Sequence, residues 1–109
     1  MNYIKVAQTD EVKDGEKKTI TLNNKVLLIT NIQNTYYAID NKCPHMGGSL
    51  FDGNLEGYNI TCPKHGSVFD VRTGKVVKNG KIVFINLKVN EATAYPVKIE
   101  GNDILIGLQ

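Results

Sequence analysis

Apolar residues in the N-terminal third of the chain form short runs that are separated by polar pairs. The runs cover residues 3–6, 19–22, 26–30 and 36–39, and the pairs Asn23-Asn24 and Gln33-Asn34 divide the last three. Asn tolerates a positive φ, so such pairs between apolar-rich runs are typical of hairpin turns. The pattern predicts a β-meander over this part of the chain.

The C-terminal third returns to the same pattern after a middle section of loops. It predicts strands over residues 81–89, 95–99 and 104–108, with a turn at Gly101-Asn102. Alternation with a period of two places six apolar side chains of this section on the core face. They are Val83, Ile85, Leu87, Val89, Val97 and Ile99.

Helical periodicity is weak throughout the chain. Only residues 10–18 and 90–93 could hold a helical turn, because Gly and β-branched residues interrupt every longer candidate. The predicted fold class is therefore all-β, with antiparallel sheets that pack as a sandwich or a small barrel. A length of 109 residues predicts a single domain over residues 1–109.

Composition and charge exclude several classes of partner. The chain is 41% hydrophobic and 22% charged, as soluble globular proteins are. Its formal net charge of +2 comes from interspersed acids and bases, so there is no basic stripe of the kind that nucleic-acid binding needs. Residues 1–12 alternate polar and apolar side chains and no run of about 18 apolar residues occurs, so we expect neither a signal peptide nor a membrane span.

The middle section contains two short motifs that combine cysteine with histidine. They read CPHMGG and CPKHGS, and supply Cys43 with His45 and Cys62 with His65. Paired spacing of this kind is typical of metal ligands rather than of a disulfide framework, and suits a reducing cytoplasm. Thiolates favour iron–sulfur chemistry, and imidazole is a neutral ligand that leaves more positive charge on its iron. A closed tetrahedral zinc site is the alternative interpretation of the same four residues.

The two motifs resemble those of Rieske-type ferredoxins. Residues 37–40 before the first motif, 69–74 after the second and 95–97 near the end fit the same family pattern. The resemblance implies one [2Fe–2S] cluster per chain, with Cys43 and Cys62 on one iron and His45 and His65 on the other. It also implies a cluster-binding lobe, about residues 41–74, made of two loops. Two ferric ions, two sulfides and two thiolates sum to zero charge, which eases electron uptake compared with four thiolates.

Two departures from the high-potential members of this family bear on the reduction potential. Those members carry an extra cysteine in each loop, whereas Gly48 and Lys64 stand at or near these positions here, so no disulfide can form between the loops. Ser67 matches a serine whose hydroxyl is directed at the cluster, but Phe69 replaces the corresponding tyrosine. Fewer hydrogen bonds to sulfur place the expected potential in the lower part of the range of roughly −150 to +300 mV.

The resemblance implies a cytoplasmic one-electron carrier rather than an enzyme. The donor would be a flavin-containing reductase, and the acceptor the terminal oxygenase of a ring-hydroxylating dioxygenase system or a similar terminal acceptor. No Ser/His/Asp set, paired carboxylate or phosphate-binding loop is present to transform a substrate. Two alternatives stay open at this point: the small subunit of an NADH-dependent nitrite reductase, and a structural Cys2His2 zinc module.

Overall fold

The structure is a computed structural model that describes residues 1–44, 47–64, 66–82, 85–87 and 90–108. For residues 81–82 and 85–87 it describes the backbone. Within these ranges nearly all of the regular secondary structure is strand, which confirms the predicted all-β class. In chain order they are β1 (Asn2–Gln8), β2 (Lys17–Leu22), β3 (Lys25–Ile32), β4 (Thr35–Asp40), β5 (Asn54–Glu56), β6 (Asn59–Thr61), β7 (Val68–Asp70), β8 (Val76–Lys78), β9 (Gly80–Ile82), β10 (Ile85–Leu87), β11 (Ala94–Tyr95), β12 (Val97–Glu100) and β13 (Asp103–Leu108).

All strand pairs in the described residues are antiparallel. One sheet has the order β11-β4-β3-β2, a second has the order β1-β13-β12, and a third has the order β5-β6-β7-β8. Strands β9 and β10 pair with each other. Two short 3-10 helices, Thr9–Glu11 and Leu50–Asp52, interrupt the strands. None of the helices in the described ranges has the length and apolar character that crossing a membrane requires.

The predicted hairpin turns of the meander are confirmed by the backbone angles. Asn23 and Asn24 have φ values of 50° and 65°, and Gln33 and Asn34 have values of 55° and 64°. The strand registers Leu22↔Lys25 and Ile32↔Thr35 leave two-residue loops at both places. Such loops need positive φ at both central residues, which Asn adopts at little cost.

Strand β3 forms the centre of the molecule because both of its faces are buried. Leu27 and Ile29 join one group of buried side chains, whereas Leu28 joins another on the opposite face. The first group, called the base core, packs against β1 and β13; it contains Ala7, Val12, Leu27, Ile29, Ala38, Ile104 and Ile106. The second, called the loop core, contains Leu28, Ile39, Cys43, Leu50, Ile60, Cys62, Phe69, Val71 and Ala92.

Two details of the sequence-based prediction differ from the structure. The prediction of one strand over residues 81–89 is wrong, because two described parts of this segment, β9 and β10, pair with each other antiparallel. Ile99 was expected in the core but is 43% exposed, although it pairs with the buried Ile104, because β12 is the edge strand of its sheet. Val97 packs against the base core as a half-buried residue. The side chains of Val83, Ile85, Leu87 and Val89 lie outside the described residues.

The predicted helical turns are mostly absent. Within residues 10–18, helix occurs only where the short 3-10 helix Thr9–Glu11 reaches into the segment, and strand β2 begins at Lys17. Residues 90–93 are described without helix. Both segments are too short to offset the cost of nucleating a helix without an apolar face to bury.

Candidate iron–sulfur cluster site

Two loops bring the cysteines into the same buried region. The first loop, called loop 1 and covering residues 43–48, follows β4 closely, and loop 2, residues 62–67, joins β6 to β7. Cys43 and Cys62 are 1% and 2% exposed and both belong to the loop core. Both are thiols rather than halves of a disulfide. The structure therefore brings together the two sulfur ligands that the sequence predicts.

The two loops have the same backbone hydrogen bonds. The Cys43 N–H donates to the Gly48 carbonyl at 2.7 Å, and the Gly47 N–H donates back to the Cys43 carbonyl at 3.0 Å. In loop 2, the Cys62 N–H donates to the Ser67 carbonyl at 2.7 Å, and the Gly66 N–H donates to the Cys62 carbonyl at 3.1 Å. Each cysteine is thus held at the start of an equivalent closed turn.

Glycine is needed at the fifth residue of each turn and at the contact between the loops. Gly47 and Gly66 have φ values of 70° and 79°, in the left-handed region that side chains disfavour. A Cβ atom on Gly48 would lie 3.1 Å from the Cys62 sulfur and 3.2 Å from Cγ of Lys64. The backbone of loop 1 therefore lies directly against the thiol of loop 2.

Asn41 ties loop 1 to the end of strand β4, and the sequence analysis did not identify it. Its side chain is 7% exposed; Nδ2 donates to Oγ of Ser49 at 3.0 Å, and Oδ1 accepts from the Phe51 N–H at 2.8 Å. The Asn41 carbonyl also accepts from the Leu50 N–H at 2.9 Å. The available signal was a polar residue at the end of a buried strand, two positions before a cysteine.

Lys17, at the start of strand β2, holds the segment that follows loop 1. Nζ of Lys17, in β2, donates to the Phe51 carbonyl at 2.6 Å and lies 4.5 Å from the centre of the Phe51 ring. The neighbouring Leu50 is fully buried in the loop core. This contact and those of Asn41 fix both ends of loop 1 to the central sheet.

An ion pair lies at the exit from loop 2. Nη2 of Arg72 lies 2.8 Å from Oδ2 of Asp70, and its guanidinium lies 3.9 Å from the centre of the Tyr58 ring. The hydrogen bond from Arg72 is the main cause that lowers the pKa of the Asp70 carboxyl below its ordinary value. The pair closes the turn after β7, and it is solvent-facing and structural rather than chemical in role.

His45, His65 and Met46 lie outside the described residues. Among the described residues, no group of three or more His, Cys, Asp or Glu side chains forms another metal site. Ser67 is 3% exposed, and Phe69 is fully buried in the loop core with both cysteines. A buried pair of thiols on two matched loops, with an apolar surround, fits an iron–sulfur cluster, because thiolates supply its cysteine ligands and burial limits access of water.

Comparisons with known proteins agree with this site. Residues 2–96 match the family model of the Rieske [2Fe-2S] domain. The ferredoxin component of the naphthalene 1,2-dioxygenase system of Pseudomonas aeruginosa is 38% identical over 98 residues, covering 90% of this chain and 88% of that protein. The ferredoxin component of the naphthalene 1,2-dioxygenase/salicylate 5-hydroxylase systems of a Ralstonia species is 32% identical over 108 residues, covering 99% of this chain and 97% of that protein.

A solved structure shows the same fold over the whole chain. The ferredoxin of carbazole 1,9a-dioxygenase from Nocardioides aromaticivorans IC177 superimposes with a TM-score of 0.82 and 27% identity, and each chain is fully covered. The predicted cofactor, one [2Fe–2S] cluster, is confirmed by the family match. The chain belongs to the Rieske [2Fe–2S] domain family.

Proposed function

We propose that Cys43, His45, Cys62 and His65 hold the [2Fe–2S] cluster and that the chain carries single electrons to the terminal oxygenase of a ring-hydroxylating dioxygenase system. The observation that carries the proposal is the convergence of two matched loops on one buried region, each with a cysteine at the same position of the same turn. The cluster-binding lobe, about residues 41–74, then forms part of a single domain over residues 1–109.

The chemistry of the ligand set supports one-electron transfer. When bound, the cluster supplies a one-electron couple that shuttles between a neutral and a singly negative charge. Burial of Cys43 and Cys62 among apolar side chains keeps water from the sulfurs, while backbone closure of each loop holds both cysteines in place. A site that does not rearrange changes oxidation state with little reorganisation.

The exposed tips of the loops give the electron a short route to a partner. Gly47, Pro63 and Lys64 are exposed, although the cysteines beside them are buried. A partner that covers these tips approaches the cluster without any opening of the fold. Such redox encounters bury less than about 1,200 Å² and dissociate readily.

The donor in this proposal is a flavin-containing reductase, and the location is the cytoplasm. A reducing compartment keeps Cys43 and Cys62 from pairing as a disulfide, so both remain available to bind the cluster. The relatives support the acceptor side, since those named above are ferredoxin components of dioxygenase systems.

The test combines spectroscopy of the purified protein with single ligand substitutions. We expect two irons and two sulfides per chain, and after reduction with dithionite an electron paramagnetic resonance spectrum with the low average g-value of mixed cysteine and histidine ligation. His45→Cys and His65→Cys are expected to change that spectrum, because an imidazole is replaced by a thiolate. A colourless protein with one zinc per chain would contradict the proposal and support the zinc module.

Electron delivery to a protein acceptor is tested with a purified oxygenase. Reduced protein is mixed in a stopped-flow instrument with the purified oxygenase component of a naphthalene 1,2-dioxygenase, and oxidation of the cluster is followed by its visible absorption. We expect oxidation that saturates with oxygenase concentration. A protein that keeps its cluster but reacts only with small dyes would refute the proposed acceptor class.

A further inference from the structure

A groove beside loop 1 combines apolar and positively charged side chains. It has a volume of about 260 Å³ and is lined by Asn24, Lys25, Val26, Asp40 and Lys42; we call it the lysine groove. The β2–β3 turn forms one of its walls, and the residue that precedes Cys43 forms the other. The Asn41 N–H donates to the Val26 carbonyl at 2.9 Å, which holds these two walls together.

The two lysines of the groove have no ion-pair partner among the described residues. The ion pairs found in those ranges use Lys5, Lys18, Arg72 and Lys98. Asp40, the carboxylate of the groove, accepts a hydrogen bond from the Tyr95 hydroxyl at 2.6 Å and lies in no ion pair with Lys25 or Lys42. Two ammonium groups against one carboxylate leave the groove with a net charge of +1.

Positive charge also continues from the groove onto loop 1. Cε of Lys42 lies 3.4 Å from the position that a Cβ atom on Gly47 would occupy, so its stem runs along loop 1. Lys64, in loop 2, is exposed, and its stem lies against Gly48 of loop 1. The groove therefore adjoins the described part of loop 1, and Lys42 lies along it.

An apolar contact point lies between these charges. Val26 is 42% exposed, although it occupies a strand whose next five residues are buried. A single exposed apolar side chain is ordinary on a protein surface, and its place beside two lysines is what makes Val26 a contact point of a docking surface. In such surfaces the charges guide the approach, and the small apolar contact is desolvated on docking.

We propose that the lysine groove, with the adjoining residues Gly47 and Gly48 of loop 1, is the docking surface for the acidic face of a protein redox partner. The inference rests on the proposed function, since the occupant is a protein that exchanges electrons with this chain. Its carboxylates would face Lys25 and Lys42 while an apolar side chain contacts Val26. The position next to Cys43 places that partner beside the cluster loops and aligns it for transfer.

The experiment compares two redox proteins of opposite charge. Acidic cytochrome b5 and basic cytochrome c are reduced by the cluster-loaded chain in a stopped-flow instrument. The ionic strength is low, so that charges interact over about 30 Å. The test variant is the double substitution Lys25→Gln/Lys42→Gln. The matched control, Lys5→Gln/Lys98→Gln, removes the same charge from β1 and β12, far along the chain from loop 1.

We expect the groove variant to reduce cytochrome b5 about tenfold more slowly than the unmodified chain, and cytochrome c no more slowly. The control variant should change the rate with cytochrome b5 less than about twofold. Equal losses in both variants, or no loss in the groove variant, would overturn the docking surface. Failure of the unmodified, cluster-loaded chain to reduce either cytochrome would instead contradict electron transfer itself.

Cluster content and the electron paramagnetic resonance spectrum are measured for every variant. If Lys42→Gln lowers cluster content because of its position next to Cys43, the single variant Lys25→Gln decides the question. We expect that variant alone to slow the reduction of cytochrome b5 about threefold, and an unchanged rate would overturn the proposal.

Discussion

Replacing Asn41 with alanine tests whether the hydrogen bonds at the end of β4 hold loop 1 in place. The substitution removes two side-chain hydrogen bonds, to Ser49 and from the Phe51 N–H, at a residue that is 7% exposed. Each such bond contributes about 1 kcal/mol, and leaving the Phe51 N–H without a partner adds a penalty of similar size. The expected loss in the free energy of unfolding is therefore about 2–3 kcal/mol.

The assay is urea unfolding of the cluster-loaded protein, followed in parallel by far-ultraviolet circular dichroism and by visible absorption. For a domain of this size, the expected loss corresponds to a fall of roughly 2 M in the urea midpoint. Asn41→Asp keeps an acceptor for the Phe51 N–H and can accept from the Ser49 hydroxyl, so we expect it to recover most of the stability.

Asn54→Ala is the matched control for this prediction. Asn54 is exposed and donates to the Glu56 side chain at 3.0 Å, so its loss should cost less than about 0.5 kcal/mol. A midpoint for Asn41→Ala within about 0.5 M of that control would refute the argument that Asn41 anchors loop 1.

Three further substitutions test other parts of the site. Gly74→Ala should cost about 3 kcal/mol or more of folding stability in urea titrations, because its Cβ would overlap the Ala92 carbonyl oxygen at a φ of 77°; an unchanged midpoint would contradict this. Phe69→Tyr introduces the hydroxyl that high-potential relatives carry, and should raise the midpoint potential in protein-film voltammetry by roughly 40 mV, the equivalent of about 1 kcal/mol for one electron. Arg72 lowers the pKa of Asp70, so the ion pair stabilises the fold above the ordinary carboxyl pKa near 3.8 and loses this effect as pH falls through the lowered value. The stability difference between the unmodified chain and Asp70→Asn should therefore be largest near neutral pH and shrink below about pH 4, and a difference independent of pH would contradict this.

Local features of the sequence were sufficient to predict the meander and the two cluster loops. Asn23, Asn24 and Asn34 adopt positive φ at little cost because of their own side-chain chemistry, and the adjacent strands follow from alternation. Gln33 has positive φ because the two-residue loop requires it. The cysteine motifs are equally local, since each loop closes on itself through hydrogen bonds between residues four and five positions apart.

Sequence reasoning failed where burial or strand pairing depends on distant parts of the chain. Val97 and Ile99 have the same local pattern, but Val97 packs on the base core whereas Ile99 is 43% exposed on the edge strand β12. Positions 83 and 84 hold no Gly, Pro or Asn. No local signal therefore indicated that β9 and β10 pair with each other.

The sequence by itself determined the all-β class, the hairpin turns and the identity of the cysteine and histidine motifs, because these follow from the chemistry of neighbouring residues. Only the tertiary structure decided which groups surround those motifs. Asn41 became an anchor of loop 1 through contacts up to ten positions away, and Lys25 joined Lys42 through the pairing of β3 with the end of β4. Both depend on how the strands pack, and spacing along the chain does not encode that packing.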